Sequence, residues 1–184
     1  MKKILGIMGS PRKNGNTHIL ISKILESAQK EGADTKMIFL SDLIIKECDG
    51  CYSCWKGQKC GKNDDMNNIY PLIINSDVLI FGTPVYWFGP TALMKVFIDR
   101  LVYFNCPENR AKIKGKNAII VVPFEDEDIE TASPLLQMFE KSLEYLEVKL
   151  IERLIVPGVT KKGEVIEKAE IMKTCYALGR KLAI

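Results

Sequence analysis

Apolar and polar positions along the chain fall into two alternating rhythms. Lys3 to Met8 is a compact apolar run, read as a first strand. Thr17 to Lys30 then places Leu20, Ile21, Ile24, Leu25 and Ala28 on one face of a helix, and Gly32 follows as a stop signal. Thr35 to Leu40 reads as a second strand, and residues 41 to 63 are irregular, polar and rich in cysteine. Asp64 or Asp65 can cap a helix to about Asn75, with Pro71 as a kink or interruption. Asp77 to Phe81 is a third strand, apolar enough to be buried on both sides. Gly82 to Pro90 is a loop, and Pro90 suits the first turn of a helix that carries Leu93, Met94, Phe97, Ile98 and Leu101 as its stripe toward Phe104. Asn117 to Val122 and Lys149 to Val156 are further strands, with helices over Ala132 to Leu146 and Glu164 to Lys181.

Apolar strands separated by helices predict an α/β fold with a parallel sheet covered on both faces. At 184 residues, with no repeat or low-complexity linker, the chain predicts one domain over residues 1–184. In such sheets ligands sit beyond the C-terminal strand ends, so the loops after strands one and three are the places to seek chemistry. A net charge of +3 argues for neither nucleic acid nor an anionic membrane as partner. The opening MKKILGIMGS is too short in its apolar part for a signal peptide, and no run is long enough to span a bilayer. The expected location is the cytoplasm, where six cysteines need a purpose other than disulfides.

The first loop, Gly9-Ser-Pro-Arg-Lys-Asn-Gly-Asn-Thr17, resembles a nucleotide P-loop but carries Asn16 where that loop needs lysine. Its glycines are also one residue too far apart, and G-x-G-x-x-G is absent. Gly15 offers backbone angles closed to other residues. The helix beginning at Asn16 and Thr17 presents free N–H groups to an anion. Ser10, Asn16 and Thr17 add polar side chains, and Arg12 adds a fork suited to phosphate oxygens. The candidates for a single monophosphate are therefore Ser10, Arg12, Asn14, Gly15, Asn16 and Thr17; an ordinary capped turn is the plain alternative. His18 receives no role.

The third loop reads Thr83-Pro84-Val85-Tyr86-Trp87-Phe88. Three consecutive aromatic residues at a strand end cannot all face the core; a flat heteroaromatic ligand, or a subunit contact, would use them. One phosphate and one flat ring at the same sheet edge suit flavin mononucleotide. GSPRKNGNT and TPVYWFGPTALMKVFIDR together resemble the flavodoxin-like NAD(P)H-dependent FMN reductase family, over most of the chain through Arg100. The resemblance implies a three-layer fold with strand order 2-1-3-4-5. It implies phosphate contacts at Ser10, Arg12, Asn16 and Thr17, and ring contacts at Pro84, Val85, Tyr86 and Trp87, with Thr83 and Phe88 flanking them.

Cys48, Cys51, Cys54 and Cys60 follow the spacing C-x2-C-x2-C-x5-C in the loop after strand two. Four thiolates so placed can surround one centre, as in a [4Fe–4S] cluster; zinc and a set of free redox-sensing thiols are the rivals. The spacing and the following Asp64-Asp65-Met66 resemble the compact motif of iron–sulfur flavoproteins, a branch of the same family. That resemblance implies a cluster close to the FMN of a neighbouring subunit. Cys106 and Cys175 lie outside the motif. Where the family commonly carries a glycine-rich loop after strand four, this chain has Glu125, Asp126, Glu127, Asp128 and Glu130, read as a solvated acidic loop.

The resulting expectation is a flavin-dependent oxidoreductase acting as a homodimer or homotetramer. It would take electrons from ferredoxin or NAD(P)H through FMN and a [4Fe–4S] cluster to an acceptor the sequence does not name. A non-enzymatic electron carrier and a zinc-bound regulatory protein on the same scaffold are the alternatives. No catalytic acid–base pair is expected; binding, orientation and tuning of potential are the protein's work.

Overall fold

The computed structural model describes residues 1–184. Five parallel strands form one sheet in the order β2-β1-β3-β4-β5: β1 Lys3–Met8, β2 Asp34–Phe39, β3 Val78–Gly82, β4 Asn117–Pro123 and β5 Lys149–Val156. This is the flavodoxin-like order. The helices are α1 Asn16–Lys30, α2 Met66–Asn75, α3 Ala92–Arg100, α4 Pro107–Arg110, α5 Ser133–Tyr145 and α6 Ala169–Ala183.

Alternation along the strands divides the core into two layers. Ile4, Met8, Ile80, Ile119 and Val121 point to α1 and α6, among Leu20, Ile21, Ile24, Cys175 and Leu178. Leu5, Ile7, Leu79, Phe81, Ile120 and Val122 point to the opposite side, among Ile69, Ile73, Phe97 and Phe139 of α2, α3 and α5. The helix contacts are close. A Cβ on Gly179 would lie 2.2 Å from the Ile24 carbonyl oxygen, so glycine lets α6 touch the α1 backbone. A Cβ on Gly82 would lie 2.2 Å from Ile21 Cδ1 and 2.9 Å from Thr17 Cγ2, so the last residue of β3 admits the first turn of α1. That approach sets the helix opening directly over the sheet edge. No helix is long and apolar enough to cross a membrane.

Several boundaries depart from the sequence pattern for local reasons. α3 begins at Ala92, after Pro90, because the Thr91 hydroxyl caps it by accepting from the Met94 N–H. It ends at Arg100 and tightens into a 3-10 turn over Leu101–Asn105 instead of continuing to Phe104. α2 runs through Pro71 without a break. The last helix starts at Ala169, preceded by a separate 3-10 turn at Glu164–Glu167. The short α4 is too brief to leave a periodic signal.

Candidate functional site

Two sites lie on this frame: a pocket at the C-terminal edge of the sheet and a cavity beneath the cysteine loop.

The sheet-edge pocket encloses about 150 Å³. Ser10, Arg12, Gly15, Asn16 and Thr17 line it from the first loop, and Pro84, Val85 and Tyr86 from the third. A short hydrogen-bonded chain holds the loops together. Gly9 N–H donates to the Gly82 carbonyl at 2.8 Å. The Thr91 hydroxyl donates to the Gly9 carbonyl at 2.5 Å, and Thr91 N–H donates to Thr83 Oγ1 at 3.1 Å. Thr83 is fully buried and works in this chain, facing away from the pocket lining.

At the opening of α1 no side chain caps the helix and its first turn holds no carboxylate. The backbone N–H groups of Asn16, Thr17 and His18 have no protein acceptor. Such a terminus, beside the free guanidinium of Arg12, favours an anion. Ser10 Oγ accepts from the Arg12 N–H at 3.3 Å and curls the loop back.

Gly15 is required for a different reason from the one its position suggests. Its φ of −84° is ordinary; a Cβ there would stand 2.9 Å from the Arg12 carbonyl oxygen. The left-handed residue is Asn14, at φ 59°. Its N–H donates to His18 Nδ1 at 2.9 Å, away from the pocket. His18 packs edge-on against Phe39, and burial followed by the nearby Lys13 charge holds its pKa below the ordinary value. The histidine left without a role by sequence thus holds the loop in shape.

The Asn16 carboxamide is also committed elsewhere. Its Nδ2 donates to the Lys161 carbonyl at 3.0 Å, and its Oδ1 accepts from the Val165 N–H at 3.2 Å. The side chain clasps the segment after β5, leaving the Asn16 backbone N–H for a ligand. That segment contributes Val159, Thr160 and Lys162 to the pocket, and the end of β4 contributes Pro123, Phe124 and Glu125. Sequence reasoning missed them; their place just past the last two strand ends was the available signal.

Trp87 and Phe88 do not line the pocket. Tyr86 N–H and Gly89 N–H exchange hydrogen bonds with the partner carbonyls at 2.8 and 3.0 Å, closing a two-residue turn. Both central residues have positive φ, 48° at Trp87 and 60° at Phe88. This is the geometry that asparagine and glycine favour, and bulky residues hold it only under strain. The turn throws Trp87 outward, where it is 95% exposed, with Phe88 at 55%. The acidic segment behaves as read: Glu125 to Glu130 is exposed, and Asp126 and Asp128 accept from the N–H groups of Asp128 and Glu130 to start the turn at Ile129–Ala132.

The second site is a cavity of about 220 Å³ lined by all four motif cysteines together with Tyr52, Trp55, Tyr70, Arg100 and Tyr103. Cys54 is buried, Cys60 half-buried, and Cys48 and Cys51 exposed. Burial and then Cys60 push the Cys54 thiol up. No three His, Cys, Asp or Glu side chains converge at the distances of a single metal ion. The four cysteines line one chamber and their sulfurs do not meet at a single point.

The loop bearing these cysteines is closed at its neck. Asp64 accepts from the Lys46 N–H at 3.0 Å and from Met66 N–H at 3.1 Å, and Asp65 accepts from Ile44 N–H at 2.7 Å. Arg100, 1% exposed, forks onto both Asp64 oxygens and donates to the Lys46 carbonyl. The nitrogen that reaches Asp64 Oδ1, Nη2, also donates to Cys60 Sγ at 3.3 Å. The pair holds Asp64 below the usual carboxylate range despite its burial. Tyr70 stacks on Tyr103 with ring centroids 4.0 Å apart and donates its hydroxyl to the Arg100 carbonyl.

A fold of this order, with an anion-ready helix opening joined to a third-loop wall, defines a flavodoxin-like protein. The chain belongs to the NADPH-dependent FMN reductase family, whose model matches residues 2–154. One similar protein, an iron-sulfur flavoprotein of Archaeoglobus fulgidus, is 36% identical over 114 residues, taking in 62% of this chain and 50% of the relative. A second alignment to an iron-sulfur flavoprotein of that organism is 30% identical over 161 residues, 88% of this chain and 79% of the relative. The chain thus spans about half the length of several such relatives. Among solved structures, the NAD(P)H:quinone oxidoreductase of Methanothermobacter marburgensis superposes with a TM-score of 0.78 at 17% identity, covering 98% of each chain. At that identity the likeness speaks for the fold.

Proposed function

We propose that this chain is a single-domain flavin-dependent oxidoreductase that holds FMN at the sheet edge and a [4Fe–4S] cluster in the cysteine loop. The observation that carries the reading is the pocket that joins the open N-terminus of α1 to Pro84, Val85 and Tyr86. The enclosed part is smaller than the roughly 300–1,000 Å³ of a full small-molecule site. It takes the phosphate and adjoining chain, and the ring lies at the rim against the third loop. Arg12, Ser10, Thr17 and the three free N–H groups hold the phosphate. Pro84, Val85 and Tyr86 hold the ring, and the Trp87–Phe88 tip covers its open side in the assembled protein.

Cys48, Cys51, Cys54 and Cys60 supply the four thiolates of the cluster. Bound flavin exchanges electrons singly or in pairs, while the cluster exchanges them singly. The chain's own residues orient the two groups, exclude water and set their potentials. The donor is NAD(P)H or ferredoxin, and the protein works in the cytoplasm as a homodimer or homotetramer, an assembly that gives the exposed aromatic tip a partner surface. The half-length matches among relatives named iron-sulfur flavoprotein, and the family match, support this reading. The test is an absorption spectrum of anaerobically purified protein with flavin extraction and metal analysis. FMN and about four irons per chain are expected. Zinc in place of iron, or a preparation that refuses FMN on reconstitution, would overturn it.

A further inference from the structure

We infer that Arg100 is a positioning residue whose N–H donation to Cys60 raises the reduction potential of the iron–sulfur group held by the cysteine loop. The inference rests on the cluster reading above.

Three of the Arg100 contacts are explained by architecture. Its bonds to both Asp64 oxygens and to the Lys46 carbonyl close the neck of the loop. The fourth, to Cys60 Sγ at 3.3 Å, adds nothing to that closure. A buried guanidinium is costly unless its charge is met, and here Nη2 places one N–H on Asp64 Oδ1 and the other on the Cys60 sulfur. The other sulfurs meet weaker company. Cys51 faces the Ser53 hydroxyl at 3.6 Å and Cys54 points to the Val102 carbonyl at 3.9 Å. Cys60 alone among the four is bonded to a cationic group.

Hydrogen bonds to ligating sulfur stabilise the more electron-rich state, and groups behind the ligands are known levers on potential. Asp64 neutralises the guanidinium on its far side, so Cys60 meets the positive end of a fixed dipole. Two substitutions should therefore act with opposite sign. Arg100→Lys keeps the charge but loses the fork; its ammonium is drawn to Asp64, and Cys60 loses its donor. Asp64→Asn keeps the donor and removes the balancing anion.

The experiment is a reductive titration of FMN-loaded wild type and both variants, with iron analysis and EPR of the reduced cluster. In parallel, wild type labelled with ¹⁵N-arginine is examined by pulsed EPR for coupling between an arginine nitrogen and the cluster. We expect such coupling. The midpoint should fall in Arg100→Lys and rise in Asp64→Asn, each by about tenfold in the reduced-to-oxidised ratio, or ~59 mV for a one-electron couple. Fully iron-loaded variants with an unchanged midpoint overturn the inference and leave the cluster intact as a reading. Wild type with a cluster but no arginine coupling does the same, and decides the matter if the variants fail to fold or load. Wild type without iron overturns the cluster reading and this inference with it.

Discussion

The Thr91 hydroxyl donates to the carbonyl of Gly9 across 82 residues of sequence. One side chain thereby caps α3, anchors the end of β1 and ties the two loops of the sheet-edge pocket at fixed spacing. Thr91→Val removes a cap and leaves the buried Gly9 carbonyl unpaired. A loss of about 2–3 kcal/mol in urea unfolding is expected. FMN affinity should fall with it; Thr91→Ser should restore both.

Arg12 is exposed and free of any ion pair, so its removal costs the fold little. Arg12→Ala should leave the melting temperature within a degree or so, since surface changes stay within about 0.5 kcal/mol. It should weaken FMN by about 1.5–3 kcal/mol, a charge-assisted hydrogen bond's worth, read by quenching of flavin fluorescence. Unchanged affinity would remove Arg12 from the phosphate site.

The His18 contact makes the pocket acid-sensitive. Nδ1 accepts the Asn14 N–H only while it is unprotonated. Its folded pKa lies below the ordinary histidine value of 6.5, so the unfolded chain binds the proton more readily. The stabilisation is present above pH 6.5 and is lost as pH falls through the lower folded value. FMN affinity should drop over that window more steeply in wild type than in His18→Gln, whose carbonyl can accept without titrating. Parallel profiles, set by the flavin phosphate alone, would discount the histidine.

Gly179→Ala tests the helix layer. The added methyl group would meet the Ile24 carbonyl at 2.2 Å and Ala28 N at 3.0 Å, both backbone. α1 must shift, at about 1–3 kcal/mol or more. Because the opening of α1 lines the proposed phosphate site, chemical denaturation and FMN titration should both register the change.

Much of this molecule was legible before any coordinates. β1 and β5 have the predicted bounds: β1 is a compact apolar run, and in β5 Leu150, Ile151, Leu154, Ile155 and Val156 carry the signal around the polar Glu152 and Arg153. The loops after β1 and β3 meet as expected because the parallel order brings both strand ends to one side. What escaped was pairing at long range. Asn16 reads as a phosphate donor in its own loop, and nothing local reveals Val165 as its partner. Arg100 reads as one polar position within an amphipathic helix running toward Phe104, and only the folded chain brings Asp64 and Cys60 to it. Trp87 and Phe88 share a loop with Pro84, Val85 and Tyr86 but stand outside the pocket lining, since a tight turn reverses direction within two residues.

The turn at Trp87 and Phe88 sets robustness against recognition. Exchanging the pair for Asn-Gly would suit the local dihedral angles and give a sturdier chain, harder to melt. It would also remove the two exposed aromatic rings that follow the pocket-lining residues Pro84, Val85 and Tyr86. An engineer selecting only for heat tolerance would select that exchange, and would obtain a molecule that endures longer while gripping less.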